Sequence, residues 1–174
     1  SIDLIVDYLC RTGEPPCFLE MPSVNLNAHE RLVAYGRAME RLGHVPQVLP
    51  VQNPGWTFEQ VGYSEGLRLI SEHRFLSSTV LCANDRLAIG LLAAAYEKGL
   101  RIGRGPGCAM RIAGHDDHPL ARFTCPPLTT VAQDYIAIAE RCVGILFDLI
   151  DSGDASHARP TVRLEGRLVM RASA

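Results

Sequence analysis

The chain predicts an α/β fold, a parallel sheet flanked by helices, and three observations carry that reading. Short apolar runs alternate with segments of helical periodicity, several of them closed by glycine, and this alternation implies βαβ units with right-handed crossovers. One run, TVLCA at 79–83, has no polar interruption, as a strand buried on both faces requires. Another, from Met110 to Ala113, breaks off into His115, Asp116, Asp117 and His118. An apolar run ending in acidic residues marks a buried strand where it reaches the mouth of a sheet, and open α/β folds bind ligands at that mouth.

Taken in order, Ile2, Ile5, Val6, Leu9 and Cys10 recur at helical spacing up to Thr12, with Ser1 placed to cap the helix and Gly13 to end it. Cys17 to Leu19 is a short strand, followed by the polar loop PSVNLN. A helix from about Ala28 to Leu42 turns Leu32, Val33, Tyr35 and Met39 inward and stops at Gly43. Val48 and Leu49 suggest a brief strand. The turn Asn53 to Gly55 then leads through Trp56 into a helix from Phe58 to Glu72.

After the strand at 79–83, Asn84 and Asp85 stand where an N-cap and a first-turn acid belong. The helix Arg86 to Lys98 places Leu87, Leu91, Leu92, Ala95 and Tyr96 on one face. The glycine-rich RIGRGPG leads to the strand at Met110, the polar knot and PPLTTV. A helix from about Asp134 to Ile150 follows, with Ile138, Cys142, Ile145, Leu146 and Leu149 inward. The loop DSGDASHARP separates it from TVRLEGRLVM, a hairpin-like run alternating in period two, with Val162, Leu164 and Gly166 on one side.

Composition sets bounds on function. With 47% hydrophobic and 21% charged residues over 174 positions, the chain is globular rather than disordered or fibrous. A net charge of -2 provides no electrostatic footprint for a phosphate backbone, so these residues are not expected to bind nucleic acid. No apolar run reaches the roughly 20 residues that span a bilayer. Six cysteines without a C-x-x-C pair read as free, buried thiols of a cytoplasmic protein. The histidines and aspartates of the knot are consecutive and point alternately to opposite faces, so they do not converge on a metal. No phosphate-cradling glycine loop and no nucleophile elbow is evident, so neither a cofactor nor a catalytic residue is assigned.

TVLCANDRLAIGLLAAAYEKGLRIG, then RIAGHDD, PPLTTVAQD and RLEGRLVMRAS, in this order and spacing, resemble the effector-binding core of the LacI and GalR family of bacterial transcription regulators. The resemblance covers nearly the whole chain. It implies a periplasmic-binding-protein-like two-lobed core, of which residues 1–131 are the second lobe, 132–158 a helix belonging to the first lobe and 159–174 a returning tail. The family's helix-turn-helix headpiece and hinge are absent from this sequence, so the natural protein is expected to extend N-terminally by a DNA-binding domain and a half-lobe. Operator DNA would be bound only through that headpiece, by a homodimer.

By the same resemblance, Arg31 occupies the position of an arginine that fixes the effector; on residues alone, a solvated arginine pairing on a helix surface with Asn27 or Glu30 is the stronger reading. Its planar fork suits vicinal hydroxyls or a carboxylate. Trp56 matches a position where an aromatic ring stacks on the ligand, a sugar or a purine, though a lone tryptophan also suits a core. Asn84 and Asp116 each end a predicted strand and would offer an amide and a carboxylate to hydroxyls; a helix cap and a turn former are their plainer roles. Tyr135 would close the site from the first lobe, with Asn27 and Ile138 as further contacts. Asp117, His115 and His118 serve the loop. The expected function is sensing of a small polar effector, a sugar or derivative, between two lobes, without enzymatic activity. A periplasmic sugar-binding protein of a transport system is the first alternative, and a metal-dependent hydrolase using His115 and Asp116 the second.

Overall fold

The computed structural model describes residues 1–23, 25–52, 55–152 and 162–174. The start of the turn at Asn53, the predicted loop over 153–160 and the lobe boundary at 158 lie outside them. The elements are α1 (Ile2–Thr12), β1 (Cys17–Leu19), α2 (Leu26–Arg41), β2 (Val48–Leu49), α3 (Phe58–Ser71), β3 (Thr79–Cys82), α4 (Asp85–Glu97), β4 (Arg111–Ala113), β5 (Thr130–Ala132), α5 (Tyr135–Ser152) and β6 (Arg167–Val169). A 3-10 turn, Pro119–Arg122, lies between β4 and β5.

Because β1, β3 and β4 are buried along their whole length, their residues need no polar face, and the sequence obliges with CFL, TVLC and an apolar centre in RIA. The four strands run parallel in the order β2-β1-β3-β4. Phe18 pairs with Leu81, and Val80 with Ile112. The chain steps one way from β1 to β2 and the other way to β3 and β4. Right-handed crossovers therefore put α2 on the opposite face from α3 and α4 and create a switch point between the carboxyl ends of β1 and β3. Ile5, Val6 and Leu9 of α1 and Tyr35 and Met39 of α2 are sealed from solvent, as are Leu87 and Leu91 of α4. Truncating one such side chain to alanine costs about 2–5 kcal/mol.

The sheet does not end at β4. Gly114 N–H donates to Thr129 O and Asp116 N–H to Val131 O, each at 2.9 Å, so β5 runs parallel beside the end of β4. On its other edge β5 pairs antiparallel with β6, Val131 opposite Leu168. PPLTTV thus contributes to a strand, β5, where its sequence predicts no element, and TVRLEGRLVM forms no hairpin of its own. Among the described residues, only Arg167–Val169 is strand there.

Other differences have simple causes. Ser1 sits at the N-cap of α1 but makes no cap bond, because its hydroxyl is taken by His115 Nε2 at 2.9 Å. Gly13 is extended, at φ 176, so it is not a left-handed cap. It is small because the Arg111 guanidinium passes there, and Arg111 closes the helix end by donating to Thr12 Oγ1 at 2.6 Å and to Leu9 O at 3.4 Å. Tyr96, expected inward, is 82% exposed, and its hydroxyl-bearing ring tolerates water at the last turn of α4. All six cysteines are free, but Cys125 and Cys142 are exposed rather than buried. Cys142 lies on α5, where Ile136, Val143, Leu146, Phe147 and Ile150 are also exposed; no described element covers that face. No helix among the described residues is long and apolar enough to cross a membrane.

Helices α3 and α4 approach through glycine. A Cβ on Gly90 would stand 2.1 Å from Glu59 O, and one on Gly62 the same distance from Leu87 O. Gly36 in α2 faces open space. Gly90→Ala is therefore expected to lower stability by at least about 1–3 kcal/mol, by overpacking. Gly36→Ala should raise it by roughly 0.5–1 kcal/mol, through helix propensity. Thermal denaturation of both variants checks the pair.

Candidate functional site

Arg31 lies in the second turn of α2, which Asn25 caps by accepting the Ala28 N–H at 3.0 Å. That cap sets the helix start at Leu26, one short loop beyond the carboxyl end of β1, so the first turns of α2 stand at the switch-point end of the sheet. Only 13% of the Arg31 side chain is exposed. One guanidinium nitrogen donates to Ala83 O at 2.7 Å, at the carboxyl end of β3, and to Asp116 Oδ2 at 3.2 Å; the other donates to Asp116 Oδ1 at 2.5 Å. The planar fork thus ties α2 to the ends of β3 and β4.

Asp116 is reached from every side. Gln133 Nε2 donates to Oδ1 at 2.5 Å and His115 Nδ1 approaches the same oxygen at 3.0 Å. The Tyr135 hydroxyl donates to the Asp116 carbonyl. With Nδ1 donating to the carboxylate, the neutral His115 ring is left to accept the Ser1 hydroxyl at Nε2. Asp116 and Asp117 hold φ of 125° and 52°. Non-glycine residues pay about 1–3 kcal/mol each for such backbone. The turn persists because Asp117 is braced: Arg171 donates to its carboxylate at 2.7 Å and its N–H reaches Thr130 Oγ1 at 3.3 Å.

Burial pushes the Asp116 carboxyl up, yet the His115 hydrogen bond and the Arg31 charge outweigh it and hold the group below the usual carboxylate range. Burial likewise lowers the His115 pKa, with Arg31 lowering it further and Asp116 opposing both. The network at neutral pH is accordingly a guanidinium, a carboxylate and a neutral imidazole; Arg31, His115 and Gln133 line a polar depression of about 250 Å³ with Ser1, Asn27 and Glu30, and Asp116 stands behind them, bonded to all three. Such a set offers paired donors and acceptors to a small polar ligand. Among the described residues, no group of three or more His, Cys, Asp or Glu side chains could hold a metal ion.

Of the residues singled out from sequence, Arg31, Asp116 and Tyr135 meet in one network, and Asn27 lines the same depression. The other three are placed differently. Asn84 is 5% exposed; its oxygen caps α4 by accepting the Leu87 N–H at 2.8 Å, and its amide nitrogen faces Met21 Sδ at 3.5 Å. The cap is thus the role its contacts describe. Trp56 is 61% exposed, its ring tilted against Phe58 at 6.0 Å between centroids. Among the described residues, no hydrogen bond or ring contact joins it to Arg31 or Asp116. Ile138 lines a separate apolar depression of about 510 Å³ with Arg141, Cys142, Ile145, Val162 and Leu164, and Gln133 bridges the two.

His115, expected to serve the loop, is 2% exposed and bonds directly to Asp116. Gln133, which also bonds to Asp116, follows β5, and the β-branched run after two prolines, ending beside the tip of β4, is the signal that locates it.

Comparison with known proteins gives one consistent picture. A family model described as a periplasmic binding protein-like domain matches residues 16–174. The HTH-type transcriptional repressor PurR of Haemophilus influenzae is 33% identical over 129 residues, covering 70% of this chain and 36% of its own length. The Escherichia coli ribose operon repressor is 29% identical over 150 residues, covering 85% of this chain and 43% of its own length. The chain therefore spans well under half the length of these curated relatives. The crystal structure of the Lac repressor bound to ONPG in the repressed state superposes with a TM-score of 0.83 at 25% identity, over 99% of this chain and 50% of that one.

The electrostatics of the network make a prediction. A histidine whose pKa is depressed by folding adds stability above its ordinary value of 6.5, and that stability is lost as pH falls below it. The His115 ring should titrate by NMR with a midpoint below 6.5. Asp116→Asn, which removes an opposing charge, should lower the midpoint further, and Arg31→Met should raise it. A midpoint insensitive to both would contradict this assignment.

Proposed function

The chain belongs to the periplasmic binding protein-like family as an effector-binding core of the LacI type, and from that premise we propose that it senses a small polar molecule, a sugar or sugar derivative, in the depression beside the Arg31–Asp116 pair. The observation that carries the reading is the guanidinium–carboxylate pair held at the switch point of a parallel sheet, where open α/β folds take their ligands. A sugar hydroxyl both donates and accepts, so it can lie across a fork donor and a carboxylate acceptor at once. The name of one relative, the ribose operon repressor, connects that protein with a sugar operon and favours this ligand class.

In this proposal Arg31, Asp116 and Asn27 bind the effector, Tyr135 closes the site from the start of α5, and Trp56 and Ile138 join once the first lobe is complete, while Asn84 keeps its place as the cap of α4. The protein acts in the cytoplasm as a homodimer, with operator DNA held by an N-terminal headpiece and no reaction catalysed. The names of the relatives, which are transcription repressors and regulators, favour this over a transport protein or a hydrolase. Effector binding changes DNA affinity only by as much as the ligand prefers one lobe arrangement over the other.

A thermal-shift screen of the full-length protein against sugars, nucleobases and amino acids tests the reading. A true effector at about 100 times its Kd adds about 2.7 kcal/mol, a rise of roughly 5–10 °C for a domain of this size. Asp116→Ala is expected to abolish the shift; an unchanged shift in that variant places the pocket elsewhere.

A further inference from the structure

The loop that carries Asp116 is held from beneath by a carboxylate that the effector site does not use. Asp85, the first residue of α4, is 1% exposed. Its Oδ1 accepts the Thr130 hydroxyl at 2.6 Å, its Oδ2 accepts the His118 backbone N–H at 2.7 Å, and its own N–H donates to His115 O at 2.9 Å. It thereby grips both ends of the 115–118 loop and the strand beside it. Space is reserved for this contact, since a Cβ on Gly114 would stand 2.2 Å from Asp85 Oδ1. Between the two gripped ends lie Asp116 and Asp117, with their positive φ angles. Without the carboxylate, the His118 N–H and the Thr130 hydroxyl lose their acceptor and the strained turn is free to relax.

We propose that Asp85 is a positioning residue for the effector site: its ionised carboxylate clamps the 115–118 loop between His118 and Thr130 and so fixes the direction in which Asp116 faces Arg31. The inference rests on the reading of Arg31 and Asp116 as effector contacts. A first-turn acid on α4 already has a reason to exist beside the helix N-terminus, but there an acid serves from the solvent side. Asp85 instead lies inside the protein, with one oxygen spent on the loop and the other on Thr130 of β5.

The clamp depends on pH. Burial raises the Asp85 pKa to about 6, against the hydrogen bonds from Thr130 and His118, and the charges of Asp116 and Asp117 add to the rise. Tyr135 of α5 and Cys82 of β3 also face it, and His115 and His118 flank it in the loop. A carboxyl raised by folding favours its protonated form, so its contribution to global stability is fully present below the ordinary value of 3.8 and is lost as pH rises through about 6. The charged acceptor that holds the loop gains strength over the same rise. The fold as a whole and the loop therefore respond to Asp85 in opposite directions.

Hydrogen exchange of the His118 amide in the ligand-free, full-length protein between pH 5 and 8 tests the clamp. Protection, corrected for the intrinsic exchange rate, should rise about tenfold across pH 6 in the wild type, the gain from a neutral to a charged acceptor. Asp85→Asn should flatten the profile at low protection, Thr130→Val should weaken protection throughout, and Thr130→Ser should restore it. A flat wild-type profile, or Asp85→Asn with the wild-type profile, overturns the proposal. If Asp85→Asn does not fold, the wild-type profile and the two Thr130 variants decide. Exchange reports the clamp without any effector, so its failure is distinct from the failure of the ligand screen.

Discussion

A guanidinium taken mostly out of water must be given acceptors, and Arg31 imposes that requirement on the whole carboxyl edge of the sheet. Its partners are a carbonyl that β3 exposes where it ends and a carboxylate that β4 delivers just beyond its own end. To bring that carboxylate round, the chain adopts positive φ at two successive aspartates, and β5, Asp85 and Arg171 hold it there. Removing one member of such a pair leaves an uncompensated charge, which costs more than the pair itself contributes. The stability of this edge and its readiness for a polar ligand thus have one origin.

The same arrangement explains how a ligand could be read out. The Asp116 carboxylate is shared by α2 through Arg31 and by the segment entering α5 through Gln133, while Tyr135 takes the carbonyl. In the proposed reading, a ligand that entered between Arg31 and Asp116 would compete for groups bonded both to α2 and to the segment that leads into α5. Ile136, Phe147 and Ile150 of α5 are left exposed, and no described element covers them. In a LacI-type core, that coupling is what a change in lobe arrangement requires.

The sheet was legible because a parallel strand buried on both faces has no choice but to be apolar, and TVLC and RIA are short enough to exclude helices. The helices were legible from period and caps. β5 was not, because prolines and threonines suggest a linker unless the neighbouring strand is already in place, and the hairpin expected in the tail was a strand whose partner lies far earlier in the chain, Leu168 opposite Val131. For the candidate site, the apolar run that breaks off into acidic residues pointed to Asp116, whereas Arg31 and Tyr135 stand out only through family resemblance; nothing in their local sequence distinguishes them from surface residues. Asn84 illustrates the converse: its local cue, an N-cap before a helical run, describes what its side chain does. His115 and Asp85 owe their burial to chain segments distant in sequence, and a histidine or an aspartate in a polar run gives no sign of that.

The claim that Arg31 and Asp116 form the ligand contact is tested most directly by NMR titration of the isotopically labelled full-length protein with the sugar, nucleobase and amino acid panel. The account predicts that the Arg31 side-chain Nε–H, the Asp116 amide and the Gln133 side-chain amide shift together and saturate at one Kd. Shifts confined to the opposite end of the sheet, around Glu14, His44 and Ser77, with these three unmoved, would contradict it.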